Sequence, residues 1–296
     1  MASRSRQIRG SLRALPWISP AIVLIVTIVL FPVVYMGYSS TRDLSPYGVD
    51  RGGAGLDNFE QLFAIEALPR VLLNTGIWVF VVVTLTLLLS LMLAQFLNKD
   101  FPWRRSIRLA ILVPWAASVV MTTTVFYYLL DPDVGIVNKL LVDLHLLDDE
   151  FGFTKQPVPA FIVAIGVAVF VSIPFTTYTL LAGLQTIPDD VMEAAQVDGT
   201  TPWQRYRHIV LPQLKSAIAV AVIINMINVF NSLPILQIIT GSISGNKADT
   251  TTTLTFKLIR QNQQVDTAAA MSILNFVLIV GIIAVYLRVV RPMRED

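Results

Sequence analysis

Asn225, Asn228 and Asn231 stand three residues apart within a long apolar stretch and are followed at once by Ser232 and Pro234. Their uncharged amides offer both donors and acceptors, which suits a hydroxyl-rich solute moving through an apolar surround. Successive steps of 300° keep the three on one broad helix face. The same amides would serve equally as glue between helices, worth about 0.6 kcal/mol per bond in a membrane, and the spacing does not choose between the two roles. Thr176, Thr177 and Tyr178, beside Pro174, form a weaker polar set. Trp115, Tyr127 and Tyr128 are able to stack on a ring, but they read first as anchors at a membrane surface.

A second polar stretch, EAAQVDGTTPWQRYRHIVLP from Glu193 to Pro212, separates two apolar segments. Pro188 with Asp189 and Asp190 predicts a helix start, with proline at an early position and acids against the positive end of the dipole. Val191, Ala194 and Ala195 fall at i, i+3 and i+4 on one side, and Gly199 can stop the helix in a left-handed conformation. A second start follows at once: Thr201 caps, Pro202 takes the first position, and Gln204 reaches back in a capping box. This short helix carries Trp203, Tyr206, Ile209 and Val210 before Leu211 and Pro212. The expected result is a rigid knob. On these grounds alone, an ordinary connector that uses helices to order its backbone would look the same.

Enzyme chemistry finds no foothold in these residues. The only histidines, His145 and His208, fall in connections expected on opposite sides of a membrane, and neither G-x-S-x-G nor H-E-x-x-H occurs. GSISGNKA, from Gly241 to Ala248, has the wrong glycine spacing for a phosphate loop, and Ala248 stands where a hydroxyl is needed. If ATP drives this protein, a separate subunit must bind it. With no cysteine in the chain, disulfides and cysteine-ligated metals are excluded.

The elements that hold these residues follow from composition. The chain is 54% hydrophobic and 14% charged, against about 25% charged in a soluble domain, so it reads as a membrane protein. Uncharged runs of 28, 28, 22, 33, 31 and 21 residues separate Arg13 from Arg42, Arg70 from Lys99, Arg108 from Asp131, Lys155 from Asp189, Lys215 from Lys247, and Asp266 from Arg288. Each exceeds the roughly 20 residues that a helix needs to cross the hydrocarbon layer. The alternation of a membrane β-barrel is absent, and only helices then satisfy the backbone in lipid. The expected fold is an all-α, six-span protein with spans at about 16–39, 71–97, 108–130, 158–184, 214–240 and 267–289. The polar loop 186–213 lies between spans four and five, and short tails occupy 1–15 and 291–296.

Six spans place both termini on one side. That side holds fourteen of the 22 basic residues, including Arg4, Arg6, Arg9, Arg13, Arg291 and Arg294, and seven of the 20 acidic ones. The positive-inside rule therefore puts both termini and the Glu193 stretch in the cytoplasm. The first apolar run is too long for a signal-peptide core and lacks an A-x-A-like site after it, so it is expected to be a retained helix. The six runs contain no Asp, Glu, Lys or Arg, which argues against ion-coupled transport, because coupling needs ionisable groups within the spans. No filter-like sequence suggests a channel.

The residues Glu193, Ala194, Ala195, Gly199 and the Ile209 to Pro212 segment resemble the EAA loop of permease subunits of ABC importers. The DG-x-x-x-W-Q-x-Y variant is similar to the carbohydrate-importer branch, the maltose and glycerol-phosphate type. LDNFEQLF from Leu56, Asn74 with Thr75, the segment from Phe101 to Leu141, and NSLPILQIITGS from Asn231 extend the resemblance over nearly the whole chain. Thr200, Thr201 and Pro202 depart from it, standing where the family more often has small residues.

The resemblance implies one half of a heterodimeric pore in a bacterial cytoplasmic membrane. A second permease subunit completes that pore, two cytoplasmic ATPases bind ATP and magnesium, and an extracytoplasmic solute-binding protein delivers solute. It assigns coupling to Glu193, Ala194, Ala195, Asp198, Gly199, Leu211 and Pro212, with no cofactor or metal in this chain. Asn225, Asn228, Asn231 and Ser232 are the candidates for the solute path. The implied cargo is an oligosaccharide, with glycerol phosphate or a glycerophosphodiester as the alternative and a channel or secondary carrier further off.

The charge bias generates the first prediction. A topology reporter fused after Asp296 or inside the Glu193 stretch should report cytoplasm, and one placed near Asp149 should report the exterior. An exterior signal at Asp296 would overturn the six-span arrangement.

Overall fold

The computed structural model describes residues 16–290. The two tails, with Arg4, Arg6, Arg9, Arg13, Arg291 and Arg294, lie outside the described residues. The chain divides into two compact units, one comprising residues up to Ile65 with Thr255–Phe276, the other Glu66–Leu254 with the residues from Val277 onward.

Four helices are each long and apolar enough to cross a bilayer: α1 (Pro16–Ser39), α3 (Leu68–Asn98), α7 (Pro157–Leu184) and α13 (Val265–Val290). All four follow uncharged runs of the sequence. The third and fifth expected spans are not single rods, and the number of crossings is six only if each bent pair counts as one.

In the third, α4 (Arg104–Ala116) meets α5 (Val119–Leu129) at 92°. Pro114 lies inside the last turn of α4, where its ring disfavours the continuing ladder, and Ala117 and Ser118 are extended. In the fifth, the expected 214–240 segment is two helices, α10 (Lys215–Phe230) and α11 (Leu233–Thr240). Pro234, in the first turn of α11, has no N–H to give the Phe230 carbonyl four residues back, which weakens the ladder where the helix breaks. α10 is also bent by 66° from the preceding α9 (Pro202–Gln213).

The first unit adds one short hairpin to an otherwise helical fold. β1 (Arg42–Leu44) and β2 (Asp50–Gly53) pair antiparallel. Turn residues between them, with Gly48 at φ 76°, reverse the chain. Arg42 Nε donates to both Asp50 oxygens at 3.0 and 2.8 Å, and the Tyr38 hydroxyl donates to the same carboxylate at 3.1 Å. The Arg42 hydrogen bonds hold the Asp50 carboxyl below its ordinary pKa. Their contribution is therefore present above the ordinary carboxylate pKa and lost as pH falls through the depressed value. In α2 (Asp57–Phe63), buried Asn58 donates back to the Ser40 and Arg42 carbonyls at 3.0 and 2.8 Å, fixing the hairpin to the helix.

The second unit is built on α3 packed along α7, with α10 against both. Small residues Ala160, Ala164 and Ala168 lie on one buried face of α7, the kind of surface that lets membrane helices approach closely. One cluster gathers Trp78, Val82, Val167, Val222, Val229 and Leu236. A second, beside the polar loop, gathers Ala94, Leu97, Leu180, Leu184, Val210 and Leu214.

At Gly183 the approach leaves no room for a side chain. A Cβ there would stand 2.6 Å from Ala217 Cβ and 3.0 Å from Leu214 Cδ2. Gly183→Ala should therefore push the start of α10 off α7 and lower the melting temperature of the purified protein, with an overpacking cost of about 1–3 kcal/mol. Adding Ala217→Gly should recover most of the loss. An unchanged melting temperature in Gly183→Ala would show that this crossing is not tight.

Candidate functional site

The polar loop is two helices joined at one residue. α8 (Asp189–Val197) begins after Pro188, which is its cap and not its first residue, and carries Asp189 and Asp190 in its first turn. It ends with Gly199 at φ 69°. The Gly199 N–H donates to the Gln196 carbonyl at 3.0 Å and the Thr200 N–H to the Ala195 carbonyl at 3.2 Å, the paired bonds of a Schellman ending. Thr200 Oγ1 also donates to Ala195 O. Immediately after, Thr201 N donates to Gln204 Oε1 at 2.8 Å and Gln204 N to Thr201 Oγ1 at 3.3 Å. The expected capping box therefore opens α9. A π turn over Tyr206–Val210 lies within α9.

These bonds leave the joint little freedom, and the side chains sort into two sets around it. Ala195, Val210 and Leu214 are buried, and Met192 and Tyr206 pack against the cluster of Ala94, Leu97, Leu180 and Leu184. Val191 and Ala194, expected to share one side with Ala195, are exposed; the inward side of α8 is Met192 and Ala195. Glu193, Asp198, Gly199 and Pro212 are exposed and Leu211 is half-buried. Val197 is 88% and Trp203 66% exposed. A cleft of about 440 Å³ lies beside the start of α8, lined among others by Gln95, Asn98, Gln185, Thr186 and Asp189.

The asparagines part company. Asn225 is 4% exposed, and its Nδ2 donates to Thr176 Oγ1 on α7 and to Ala221 O, each at 2.8 Å. Thr176 passes its own proton to Ser172 O at 2.9 Å. Asn225 is thus an interhelical clip. Asn228 and Asn231 are exposed; Asn231 caps the end of α10, where its Nδ2 donates to Ile227 O at 2.9 Å. Ser232 sits in the break before α11. The three asparagines do share a broad face, but its Asn225 edge is closed by α7.

Of the weaker candidates, Thr177 is fully buried and its hydroxyl has no hydrogen-bond partner among the described residues. The Tyr178 hydroxyl donates to Arg108 O at 2.6 Å, tying α7 to α4. Lys155 donates to the Tyr127 hydroxyl at 3.2 Å, while Trp115 and Tyr128 are exposed. His145 and His208 are exposed. No group of three or more His, Cys, Asp or Glu able to hold a metal occurs among the described residues.

Sequence reasoning passed over Trp78 and Thr252, which donate to the last carbonyls of α10. The available signal was the i, i+1, i+4 spacing of Asn74, Thr75 and Trp78 in an otherwise aliphatic run.

Residues 86–294 match the family described as "Binding-protein-dependent transport system inner membrane component". Over 279 residues the chain is 34% identical to a probable ABC transporter permease protein of Brucella suis biovar 1, covering 94% of this chain and 96% of that one. It is 28% identical over 278 residues to the trehalose/maltose transport system permease protein MalF of Thermococcus litoralis, covering 94% and 93%. The fold is that of a chain in a bacterial alginate ABC transporter, crystallised in complex with an alginate pentasaccharide-bound periplasmic protein. The TM-score is 0.84, with 22% identity and 98% of each chain covered.

The asparagine geometry separates structural from exposed amides. Asn225→Leu should destabilise the purified protein by about 1 kcal/mol or more, because it loses the helix-to-helix bond in which Thr176 Oγ1 is the acceptor. Asn228→Leu should stay within about 0.5 kcal/mol of wild type, as exposed sites usually do. Equal losses in the two variants, read by thermal unfolding in detergent, would refute the distinction.

Proposed function

This chain belongs to the family of inner-membrane components of binding-protein-dependent transport systems, and we propose that it forms one half of the solute pathway of an ATP-driven sugar importer. A second permease subunit supplies the other half. The spans lie in a bacterial cytoplasmic membrane with both termini and the α8–α9 loop inside. ATP and magnesium are bound by two separate cytoplasmic subunits, and an extracytoplasmic binding protein hands over the solute.

The observation that carries this reading is the α8–α9 joint. A Schellman ending at Gly199 is followed within two residues by a capping box at Thr201, so a push on one helix is delivered to the other instead of being absorbed by the connection. Glu193, Ala194, Asp198 and Pro212 face outward on this knob, with Ala195, Gly199 and Leu211 setting its shape. Glu193 is placed to pair with a basic group of the ATPase. Closure of the ATPase dimer around ATP then moves the docked knob and switches the pathway from inward-facing to outward-facing.

A sugar fits better than an anionic solute. Asn228 and Asn231 present neutral donors and acceptors, and the uncharged runs contain no Lys or Arg to hold a phosphate. The name borne by the Thermococcus relative, a trehalose/maltose permease, agrees with this class.

Gly199→Val tests the coupling role. A β-branched residue at positive φ is strained by about 1 kcal/mol or more, which tilts the two helices of the knob. In reconstituted complexes at matched abundance, the variant should either lose the ATPase or retain it with most solute-stimulated hydrolysis gone. Wild-type stimulation in Gly199→Val would sink the coupling role.

A further inference from the structure

α10 stops at Phe230 and α11 starts at Leu233 within an apolar cluster, so the last carbonyls of α10 lose their helical partners. Two of them accept bonds from side chains elsewhere in the chain, Val229 O in addition to the Ser232 N–H at 3.2 Å. The indole N–H of Trp78, a fully buried residue of α3, donates to Val229 O at 2.8 Å. The hydroxyl of Thr252, in the first turn of α12 (Thr251–Arg260), donates to Phe230 O at 2.9 Å.

Both donors are themselves held in place. The Trp78 ring packs against Phe161 at 5.9 Å between centroids. The segment leading into α12 is gripped by α3: Asn74 Nδ2 donates to Lys247 O at 3.2 Å and Asp249 O at 2.9 Å, and Thr75 Oγ1 accepts the Thr251 N–H at 2.9 Å. One end of α3 therefore fixes the break from both sides. The residues that follow the two pinned carbonyls are Asn231 and Ser232, and Asn228 stands one turn earlier.

We propose that Trp78 and Thr252 are positioning residues for solute transfer: by holding the Val229 and Phe230 carbonyls they fix the direction in which Asn228, Asn231 and Ser232 meet the solute. The proposal rests on the reading of Asn228 and Asn231 as solute contacts. In an apolar surround a carbonyl recruits whatever donor it can reach: without Thr252 the Phe230 carbonyl loses its side-chain donor, and without Trp78 the Val229 carbonyl keeps only the longer bond from the Ser232 N–H, so the end of α10 would turn to find another. The polar groups beyond it would turn with it. Misdirected contacts weaken solute binding more than they slow the ATP-driven cycle, so the expected signature is a raised KM at a nearly unchanged maximal rate.

The experiment uses the complete complex with four variants, Trp78→Phe, Thr252→Val, Thr252→Ser and Asn228→Leu, at matched abundance in proteoliposomes. Amide hydrogen exchange over residues 231–236 is read without any solute. Uptake is read with the sugar that thermally stabilises the co-purified binding protein, sought among trehalose, maltose and alginate oligosaccharides. Trp78→Phe and Thr252→Val should each speed exchange in that segment about tenfold and raise KM about fivefold, with the maximal rate within about twofold of wild type. Thr252→Ser, which keeps the hydroxyl, should behave as wild type in both assays. Unchanged exchange in Trp78→Phe and Thr252→Val would overturn the proposal, as would faster exchange with unchanged KM. Unchanged uptake in Asn228→Leu, or stabilisation by none of the sugars, would instead sink the solute-face or sugar reading, and the exchange data would show which of the two had failed.

Discussion

A backbone N–H or C=O buried in an apolar surround must find a partner inside the protein. Long helices meet that demand over most of this chain, and α3 and α13 do so with no proline in their interior. The informative places are those where a helix stops. At Phe230 the demand is met by side chains, Trp78 and Thr252. At Gly199 it is met by the chain itself, through a left-handed residue and two backward hydrogen bonds. The residues assigned to transport cluster at these two endings.

The two endings differ in the mobility they permit. The α8–α9 joint closes on itself within a few residues, so its geometry is local and survives displacement of the whole knob. The α10–α11 break depends on partners that are distant in sequence: Trp78 is 151 positions from Val229. Any movement of α3 against α10 would change how the break is held. In the proposed importer a stiff lever and a polar break held by its neighbours divide the labour, since the lever has to carry force and the break has to release its cargo.

Much of this was legible from charge and punctuation. Gaps between charged residues located α1, α3, α7 and α13, because a crossing helix excludes charge over a length that lipid dictates. Thr201, Pro202 and Gln204 announced a capping box that the structure contains, and Gly199 announced its own left-handed φ. The bends at Ala117 and Ser118 and the break at Asn231 and Ser232 escaped, because hydropathy counts residues and is blind to direction; Pro114 and Pro234 were the only marks. The fate of Asn225 was decided by Thr176, 49 residues away, and no spacing along one helix reveals a partner on another. The β1–β2 hairpin escaped for a related reason, since its Arg42–Asp50 pair forms only once the turn at Gly48 has closed.

In the proposed importer, rigidity of the α8–α9 joint is what links the ATPase to the solute path. Spin labels at Val197 and Arg207, exposed positions on either side of Gly199, report it directly when the intact complex is cycled with and without ATP. A single narrow distance that stays the same in every nucleotide state is the expected result. A distribution that shifts or broadens when ATP is added would mean that the loop yields instead of transmitting, and coupling through this knob would have to be abandoned.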